Sequence, residues 1–113
     1  MTTHVHVLVY EGFDELDAVG PYEVFATAGA SGADVAVSLA TLEPRESVTA
    51  SHGLEVTPDV VLPGPRDGDR PDLLVVPGGG WSDPDVPGAG AEARRGAVPD
   101  AVAALHDAGV ALA

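Results

Sequence analysis

The sequence HVHVLVYEGFDELDAVGPYEVF, residues 4–25, leads from an apolar strand directly into a helix with an acidic first turn. Residues 5–10, VHVLVY, are rich in β-branched side chains and predict a central buried strand. Asp14 is a residue type that caps helices, and the helix it begins is expected to end near residue 28. In open α/β sheets, ligands bind where strands end and helices begin. Asp17 is therefore the best functional candidate in this stretch.

Pro21 lies four residues after Asp17 within the same predicted helix. Proline cannot donate the helical hydrogen bond to the Asp17 carbonyl, and its ring crowds that carbonyl. We therefore expect a kink, or a helix restart at Pro21, beside Asp17. The two acids that precede Asp17 have simpler interpretations: Asp14 as the cap and Glu15 as a solvent-facing acid.

The rest of the sequence alternates apolar runs with segments rich in Pro, Gly and Asp. Strand, helix, strand, loop, strand, helix, strand is the pattern of an α/β domain with a parallel sheet and helices on both faces. The last apolar run stops after a few residues, so we expect residues 1–113 to be the N-terminal part of a single larger domain. The predicted segments are strands at 33–41, 72–76 and 110–113, a small hairpin from 48–51 and 54–56, a helix at 98–108, a surface loop at 58–72, and a loop or frayed turn at 81–96.

Composition excludes several classes of function. The formal net charge is −13, and such a surface repels nucleic acid and anionic membranes. The chain has no Cys, so it forms no disulfide and no thiolate metal site. No window approaches the roughly 20 apolar residues of a membrane span, and the N-terminus lacks the basic region of a signal peptide. We expect a cytoplasmic protein that contacts neither nucleic acid nor membrane through this segment.

Three segments together resemble the ThiJ/PfpI superfamily, whose fold is that of class I glutamine amidotransferases. They are the first strand with GFDELDAVGPYEVF, the strand DLLVVPGGG, and the helix that ends in DAGVALA. The superfamily opening G-x-x-x-L-D-x-x-G-P-x-E-V is met by Gly12, Leu16, Asp17, Gly20, Pro21, Glu23 and Val24. The resemblance implies a flavodoxin-like, doubly wound parallel sheet that lacks its C-terminal strands and helices. Within the superfamily, the chain is most similar to isonitrile hydratase-like proteins.

The resemblance also implies where the chemistry would occur. Asp17 corresponds to the catalytic acid, and Gly79 to the amide that binds an oxyanion, with Gly78 beside it. Gly80 and Trp81 belong to the same segment and would contact substrate. Taken alone, PGGG is equally well a plain turn, and Trp81 is equally well a cover for the core. Glu23 ranks second to Asp17, because a glutamate one turn into a helix is usually solvated.

Superfamily members carry a nucleophilic cysteine on the sharp turn that follows a strand resembling residues 110–113. This sequence has no Cys, which leaves open whether the chain is an enzyme. The implied reaction is hydration of an isonitrile to an N-substituted formamide, with a small molecule as the partner and no cofactor. We expect the 113-residue chain to be inactive alone. Relatives commonly dimerise, so a homodimer is compatible with the resemblance.

Two histidines of the first strand are candidates for a metal site. His4 and His6 lie on one face of the first strand and could form half a metal site, but strand histidines are more often solvated, so we expect no metal site.

The amidase-like N-terminal domain of an AraC-type transcription regulator is the main alternative to an enzyme. A flavodoxin-like binding domain ranks last, because the acids between residues 11 and 17 would repel a phosphate.

Overall fold

The computed structural model describes residues 1–113 as seven strands and three helices. The strands in chain order are β1 Thr3–Leu8, β2 Val35–Thr41, β3 Val48–Thr49, β4 Glu55–Val56, β5 Val60–Val61, β6 Leu73–Val75 and β7 Ala111–Leu112. The helices are α1 Glu15–Ala30, α2 Ala89–Arg95 and α3 Ala97–Asp107.

Five of the strands form one parallel sheet in the order β5-β2-β1-β6-β7. The predicted α/β fold with a parallel sheet is thereby confirmed. The chain moves outward from β1 to β2 through α1, and in the opposite direction from β6 to β7 through α2 and α3. Because such crossovers are right-handed, opposite directions of travel place the helices on opposite faces of the sheet.

The core has two halves, one on each side of β1. Alternate residues of β1 point to opposite faces. Val5 and Val7 belong to the buried cluster that contains Ala18 of α1. Leu8 belongs to the cluster that contains Leu105 of α3. Both faces of the central strand are therefore covered, which accounts for its nearly continuous apolar sequence.

Helix α1 begins where it was predicted to begin, but it is not interrupted at Pro21. The Asp14 carboxylate caps it, as expected, by accepting hydrogen bonds from the backbone of the first turn. The expected restart at Pro21 was wrong, because α1 continues through that residue to Ala30. Ala18 before the proline and Phe25 after it both pack on the same core cluster, and this packing offsets the hydrogen bond that proline removes.

Two segments predicted as loops contain regular structure. Within 58–72, the two residues of β5 pair with Ala40 and Thr41 of β2 as an edge strand. Within 81–96, the alanine-rich sequence AGAEARR forms α2. The small hairpin was predicted correctly, since β3 and β4 pair in antiparallel fashion.

None of the three helices has both the length and the apolar character needed to cross a membrane.

Candidate functional site

The carboxyl ends of β1 and β6 lie side by side, and the two loops that follow them are tied together. The Asp14 N–H donates to the Gly78 carbonyl at 2.7 Å. The buried Tyr10 hydroxyl donates to the Pro77 carbonyl. The loop after β6 is thus fixed against the loop that leads into α1, at the edge of the sheet where a ligand site is expected.

Glycines make this approach of two backbones possible. A Cβ atom on Gly79 would lie 2.6 Å from the Gly12 carbonyl oxygen and 2.7 Å from the Asp14 nitrogen. The φ angle of Gly79 is +128°, a conformation that other residues rarely adopt. Gly80 packs in the same way against the Pro87–Gly88 backbone. A Cβ atom on Gly80 would lie 2.9 Å from the Pro87 carbonyl oxygen. The PGGG segment therefore has a steric reason for its composition.

Asp17 reaches across the site to Gly78. Its backbone lies in the first turn of α1, and its Oδ2 accepts a hydrogen bond from the Gly78 N–H at 3.2 Å. The Asp17 side chain is exposed, and it lines a cavity of about 500 Å³ together with Pro21, Phe25 and Gly78. The structure thus brings Asp17 and Gly78 together, as expected for two neighbouring strand ends.

The three amides of the PGGG segment differ in their availability. The Gly78 N–H is engaged by Asp17. The Gly79 N–H donates to no acceptor of this chain, while its carbonyl accepts from the Ala89 N–H at 2.5 Å. The Gly80 N–H likewise donates to no acceptor of this chain. Gly79 is therefore one of two amides of this loop that a bound oxyanion could use, and its predicted role stays a prediction.

Trp81 lies next to Gly78, as Asp17 does, because a Cβ on Gly78 would be 3.2 Å from Asp17 Oδ2 and 3.4 Å from Trp81 Nε1. Its ring is 68% exposed and lines a second cavity, of about 530 Å³, which also contacts Gly78. Gly80, predicted as a substrate contact, lines neither cavity and packs against backbone instead. Its contact with substrate remains a prediction without geometric support.

Glu15, Ser51 and His52 form a polar cluster beside the site that the sequence analysis did not predict. Glu15, expected to face solvent, is bonded to the β3–β4 hairpin: its Oε2 accepts from the His52 N–H at 2.8 Å, and its Oε1 lies 2.9 Å from His52 Nδ1. The Ser51 hydroxyl also donates to Oε1, at 3.1 Å. His52 lies in the turn between β3 and β4, and its ring holds that turn to α1.

The charges of this cluster reinforce one another. Desolvation pushes the pKa of Glu15 upward, but hydrogen bonds from His52, from the Glu15 backbone and from Ser51 outweigh it and lower that pKa to about 2. The hydrogen bond and charge of Glu15 raise the pKa of His52. Ser51 and Glu15 both meet the same ring nitrogen, Nδ1, so the three residues do not form a nucleophile–base–acid relay.

The histidines of β1 show no metal site. His6 is buried, and its Nδ1 has no hydrogen-bond partner. His4 is exposed. No group of three or more His, Cys, Asp or Glu side chains is placed to hold a metal ion.

A sequence model of the DJ-1/PfpI family matches residues 3–88. This chain belongs to the DJ-1/PfpI family. The match includes the whole Asp17–Gly78 site, and the resemblance drawn from GFDELDAVGPYEVF and DLLVVPGGG is confirmed at the level of this family. No curated protein sequence matches the chain.

Several solved structures have a similar fold. The VC2308 protein is 24% identical with a TM-score of 0.75, over 99% of this chain and 51% of that one. A cysteine-to-alanine mutant of the DJ-1 superfamily protein STM1931 from Salmonella typhimurium is 24% identical, with a TM-score of 0.71 over 98% and 54% of the two chains. An AraC family transcriptional regulator from Pseudomonas putida is 22% identical, with a TM-score of 0.66 over 97% and 54%. The chain spans about half the length of these structures.

Proposed function

We propose that this chain is the N-terminal part of an isonitrile hydratase-like domain in which Asp17 is the catalytic acid. The observation that supports this proposal is the hydrogen bond from the Gly78 N–H to Asp17 Oδ2. It holds a carboxylate at the carboxyl ends of two neighbouring parallel strands, beside the Gly79 N–H, which has no acceptor in the chain. A carboxylate and a free amide at one strand edge are two of the three groups that acyl-type chemistry at a thiol requires.

The third group is a cysteine thiol, which these 113 residues lack. In the proposed reaction, Asp17 takes the thiol proton and gives it to the terminal carbon of the isonitrile as the sulfur bonds to that carbon. Water then adds to the resulting thioimidate carbon, and Asp17 passes a proton from the water to the nitrogen, which becomes N–H. The carbon–sulfur bond then breaks, the proton of the added hydroxyl returns to the sulfur through Asp17, and an N-substituted formamide leaves. The Gly79 N–H would stabilise negative charge that develops on the added oxygen.

The proposal predicts that the 113-residue chain alone does not hydrate isonitriles. It is tested by reading the coding DNA beyond the codon for Ala113 and assaying the longer product with an alkyl isonitrile. If a Cys follows this strand, the longer protein should form the formamide, and Asp17→Asn should lower kcat by about a hundredfold or more. Formamide production by the 113-residue chain, absent from its Asp17→Ala variant, would contradict the role given to the thiol.

A second candidate is the ligand-sensing domain of an AraC-type transcription regulator. The support for it is the similar fold of the Pseudomonas putida AraC family regulator, over 97% of this chain. The net charge of −13 is compatible with this role only if DNA is bound elsewhere in the protein. A basic helix-turn-helix segment encoded downstream, in a protein that binds DNA but forms no formamide, would favour the regulator.

Both candidates place a small molecule in the Asp17–Gly78 site, and both allow a homodimer. The oligomeric state is measured by sedimentation of the purified chain at several concentrations. If the chain sediments as a monomer at every concentration, the homodimer is excluded from both proposals.

A further inference from the structure

The loop that leads into α1 is bonded to the β3–β4 hairpin as well as to the PGGG segment. The Gly12 N–H donates to the Thr49 carbonyl, and the Ser51 N–H donates to the Phe13 carbonyl, each at 2.8 Å. The backbone of the same two loop residues is what Gly79 packs against. The hairpin and the PGGG segment are therefore joined through one short stretch of backbone.

Two carboxylates of the first turn of α1 bond to these two segments. Residues two positions apart in an α-helix are rotated by about 200° around its axis, so their side chains point to opposite sides. Glu15 faces the hairpin and accepts a hydrogen bond from the His52 N–H at 2.8 Å. Asp17 faces the PGGG segment and accepts one from the Gly78 N–H at 3.2 Å. The first turn of α1 is therefore held on two sides, with one carboxylate bonded to each segment.

The hairpin side of this arrangement contains a titratable pair. His52 Nδ1 lies 2.9 Å from Glu15 Oε1, and the Ser51 hydroxyl donates to the same oxygen. The hydrogen bond of the ring to Glu15 and the Glu15 charge raise the pKa of His52, with a smaller contribution from the Asp14 charge, and together they outweigh desolvation. Both acids belong to the start of α1. The ring therefore loses its charge, and with it the ion pair to Glu15, as the pH rises through the folded-state value.

The rest of the attachment of the hairpin contains no histidine. Glu11 Oε1 accepts a hydrogen bond from the Thr49 N–H at 3.2 Å and one from Arg45 Nη2 at 2.6 Å. This contact and the backbone pairing keep the hairpin beside the loop. Opening of the Glu15–His52 pair therefore loosens the start of α1 without detaching the hairpin.

The hydrogen bond on the other side of the first turn is one that a small change can release. The Asp17–Gly78 bond is exposed and 3.2 Å long, so water competes for both partners. Pro21 lies within α1 and donates no hydrogen bond to the Asp17 carbonyl, so the first turn is tied less firmly to the next one. The orientation of the Asp17 carboxylate therefore depends on how firmly Glu15 is held.

We propose that Glu15 and His52 are positioning residues for Asp17, and that their pairing makes the Asp17–Gly78 site sensitive to pH. While the pair is closed, the first turn of α1 keeps the Asp17 carboxylate at the Gly78 N–H. When the pair opens, the carboxylate turns toward solvent. His52 has no hydrogen bond to Asp17 or Gly78, so it acts through the start of the helix. The effect of this coupling on catalysis rests on the role proposed for Asp17, whereas the coupling itself does not.

The test is an NMR titration of the 113-residue chain from pH 6.5 upward, which follows the Gly78 amide and the His52 ring together. We expect both to titrate with the same midpoint. Asp17→Ala gives the resonance position of a Gly78 amide without its acceptor. At pH 6.5, Glu15→Ala should move the Gly78 resonance at least about one quarter of the way toward that position, because contacts within one network are coupled. A Gly78 resonance that does not titrate with His52, or that stays in place in Glu15→Ala, would overturn the proposal.

A matched pair of variants separates His52 from the other histidines. His52→Gln and His106→Gln each remove one exposed histidine, with side chains 79% and 66% exposed. His52→Gln should abolish the titration of the Gly78 resonance, and His106→Gln should leave it unchanged. Titration that persists in His52→Gln, or that is lost in both variants, would contradict the proposal. If Glu15→Ala fails to fold by circular dichroism, these two variants and the unmodified chain decide the question.

The formamide assay of the longer protein tests the chemistry separately. Formamide production together with a Gly78 resonance that does not depend on pH would reject only the positioning role. A coupled resonance in a protein that forms no formamide would reject only the proposed reaction.

Discussion

Asp17 Oδ2 accepts a hydrogen bond from the Gly78 N–H at 3.2 Å and so joins the first turn of α1 to a loop 61 residues later. The contact lies in the open, at the edge where β1 and β6 end. The Tyr10–Pro77 and Asp14–Gly78 hydrogen bonds already hold the two loops together. The main effect of the Asp17–Gly78 hydrogen bond is therefore to orient the Asp17 carboxylate, and its contribution to the stability of the fold is small.

Replacing Asp17 tests this distinction. Because exposed hydrogen bonds and ion pairs contribute little, Asp17→Ala should lower the free energy of unfolding by no more than about 1 kcal/mol. The Gly78 amide resonance should shift strongly, since its acceptor is removed. Urea unfolding and amide NMR spectra measure the two effects. Glu23→Ala, at an exposed acid of the same helix, is the control and should leave the Gly78 resonance in place. A loss of several kcal/mol in Asp17→Ala would instead make Asp17 a structural residue.

The Asp14 cap should matter more to stability than Asp17. Its Oδ1 accepts from the Leu16 N–H at 3.0 Å and the Asp17 N–H at 3.4 Å, and Asp14→Ala leaves both donors without an acceptor. The expected cost is about 1 kcal/mol of unfolding free energy, measured by urea unfolding. Asp14→Asn keeps a capping oxygen and should retain most of the stability. Equal losses in the two variants would mean that the charge of Asp14, rather than its capping, is what stabilises α1.

Local signals in the sequence were enough for the elements with strong patterns. The apolar run of β1 and the Asp14 cap are encoded within a few consecutive residues. The short strand β5 is not, since its two exposed valines become a strand only by pairing with β2. Helix α2 was obscured by the Pro and Gly residues before it, and Gly88 is required there because a Cβ would lie 2.6 Å from the Gly79 carbonyl oxygen.

In the candidate site too, some contacts were predictable from the sequence and others were not. The proximity of Asp17 and Gly78 follows from two adjacent strand ends, a rule that applies to parallel sheets in general. The Glu15–His52 contact joins residues 37 apart through an irregular hairpin, and no periodicity in the sequence encodes where that hairpin docks.

The close approach of Gly79 to the loop after β1 can be measured against a glycine with free space. Gly79→Ala introduces a Cβ within 2.6 Å of the Gly12 oxygen, in addition to strain at φ +128°. Gly32 has φ +107° but no atom within 4 Å of a would-be Cβ, so Gly32→Ala carries the backbone strain alone. Since overpacking typically adds about 1–3 kcal/mol, Gly79→Ala should be destabilised by about 2 kcal/mol more than Gly32→Ala in urea unfolding. Equal losses would show that the two loops can separate at little cost.

The Glu15–His52 contact should make docking of the hairpin depend on pH. Glu15 has a lowered pKa of about 2, so its contribution is complete above 4.5 and is lost as the pH falls toward 2. His52 has a raised pKa, so its contribution is complete below 6.5 and is lost as the pH rises through the folded-state value. The contact should therefore be strongest between pH 4.5 and 6.5.

An NMR titration of the His52 ring checks this dependence. Glu15→Gln should return the pKa of His52 toward 6.5 and speed amide exchange in β3 and β4. Glu55→Gln removes an exposed carboxylate from the hairpin itself and should do neither. A His52 pKa that stays raised in Glu15→Gln would assign the shift to other acids of this surface.

His6 should give the opposite dependence on pH. Burial, and then the neighbouring His4, lower its pKa below 6.5, against a smaller opposing effect of Asp69. The unfolded chain binds a proton at the ordinary pKa, whereas folding keeps His6 neutral. Stability from this residue is therefore complete above pH 6.5 and is lost as the pH falls below it. Urea unfolding of His6→Leu should show a shallower loss of stability on acidification than the unmodified chain.

The two histidines can be separated because their contributions have opposite signs. His52→Gln removes the residue whose contribution is lost as the pH rises above 6.5, so this variant should lose less stability than the unmodified chain as the pH rises from 6.5 through the folded-state value. His6→Leu also removes a buried Nδ1 that has no hydrogen-bond partner, and its stability should not fall at neutral pH. A marked loss at neutral pH would mean that the His6 ring makes packing contacts that leucine cannot replace. Parallel pH profiles in His6→Leu and the unmodified chain would mean that His6 accepts its proton in the folded state.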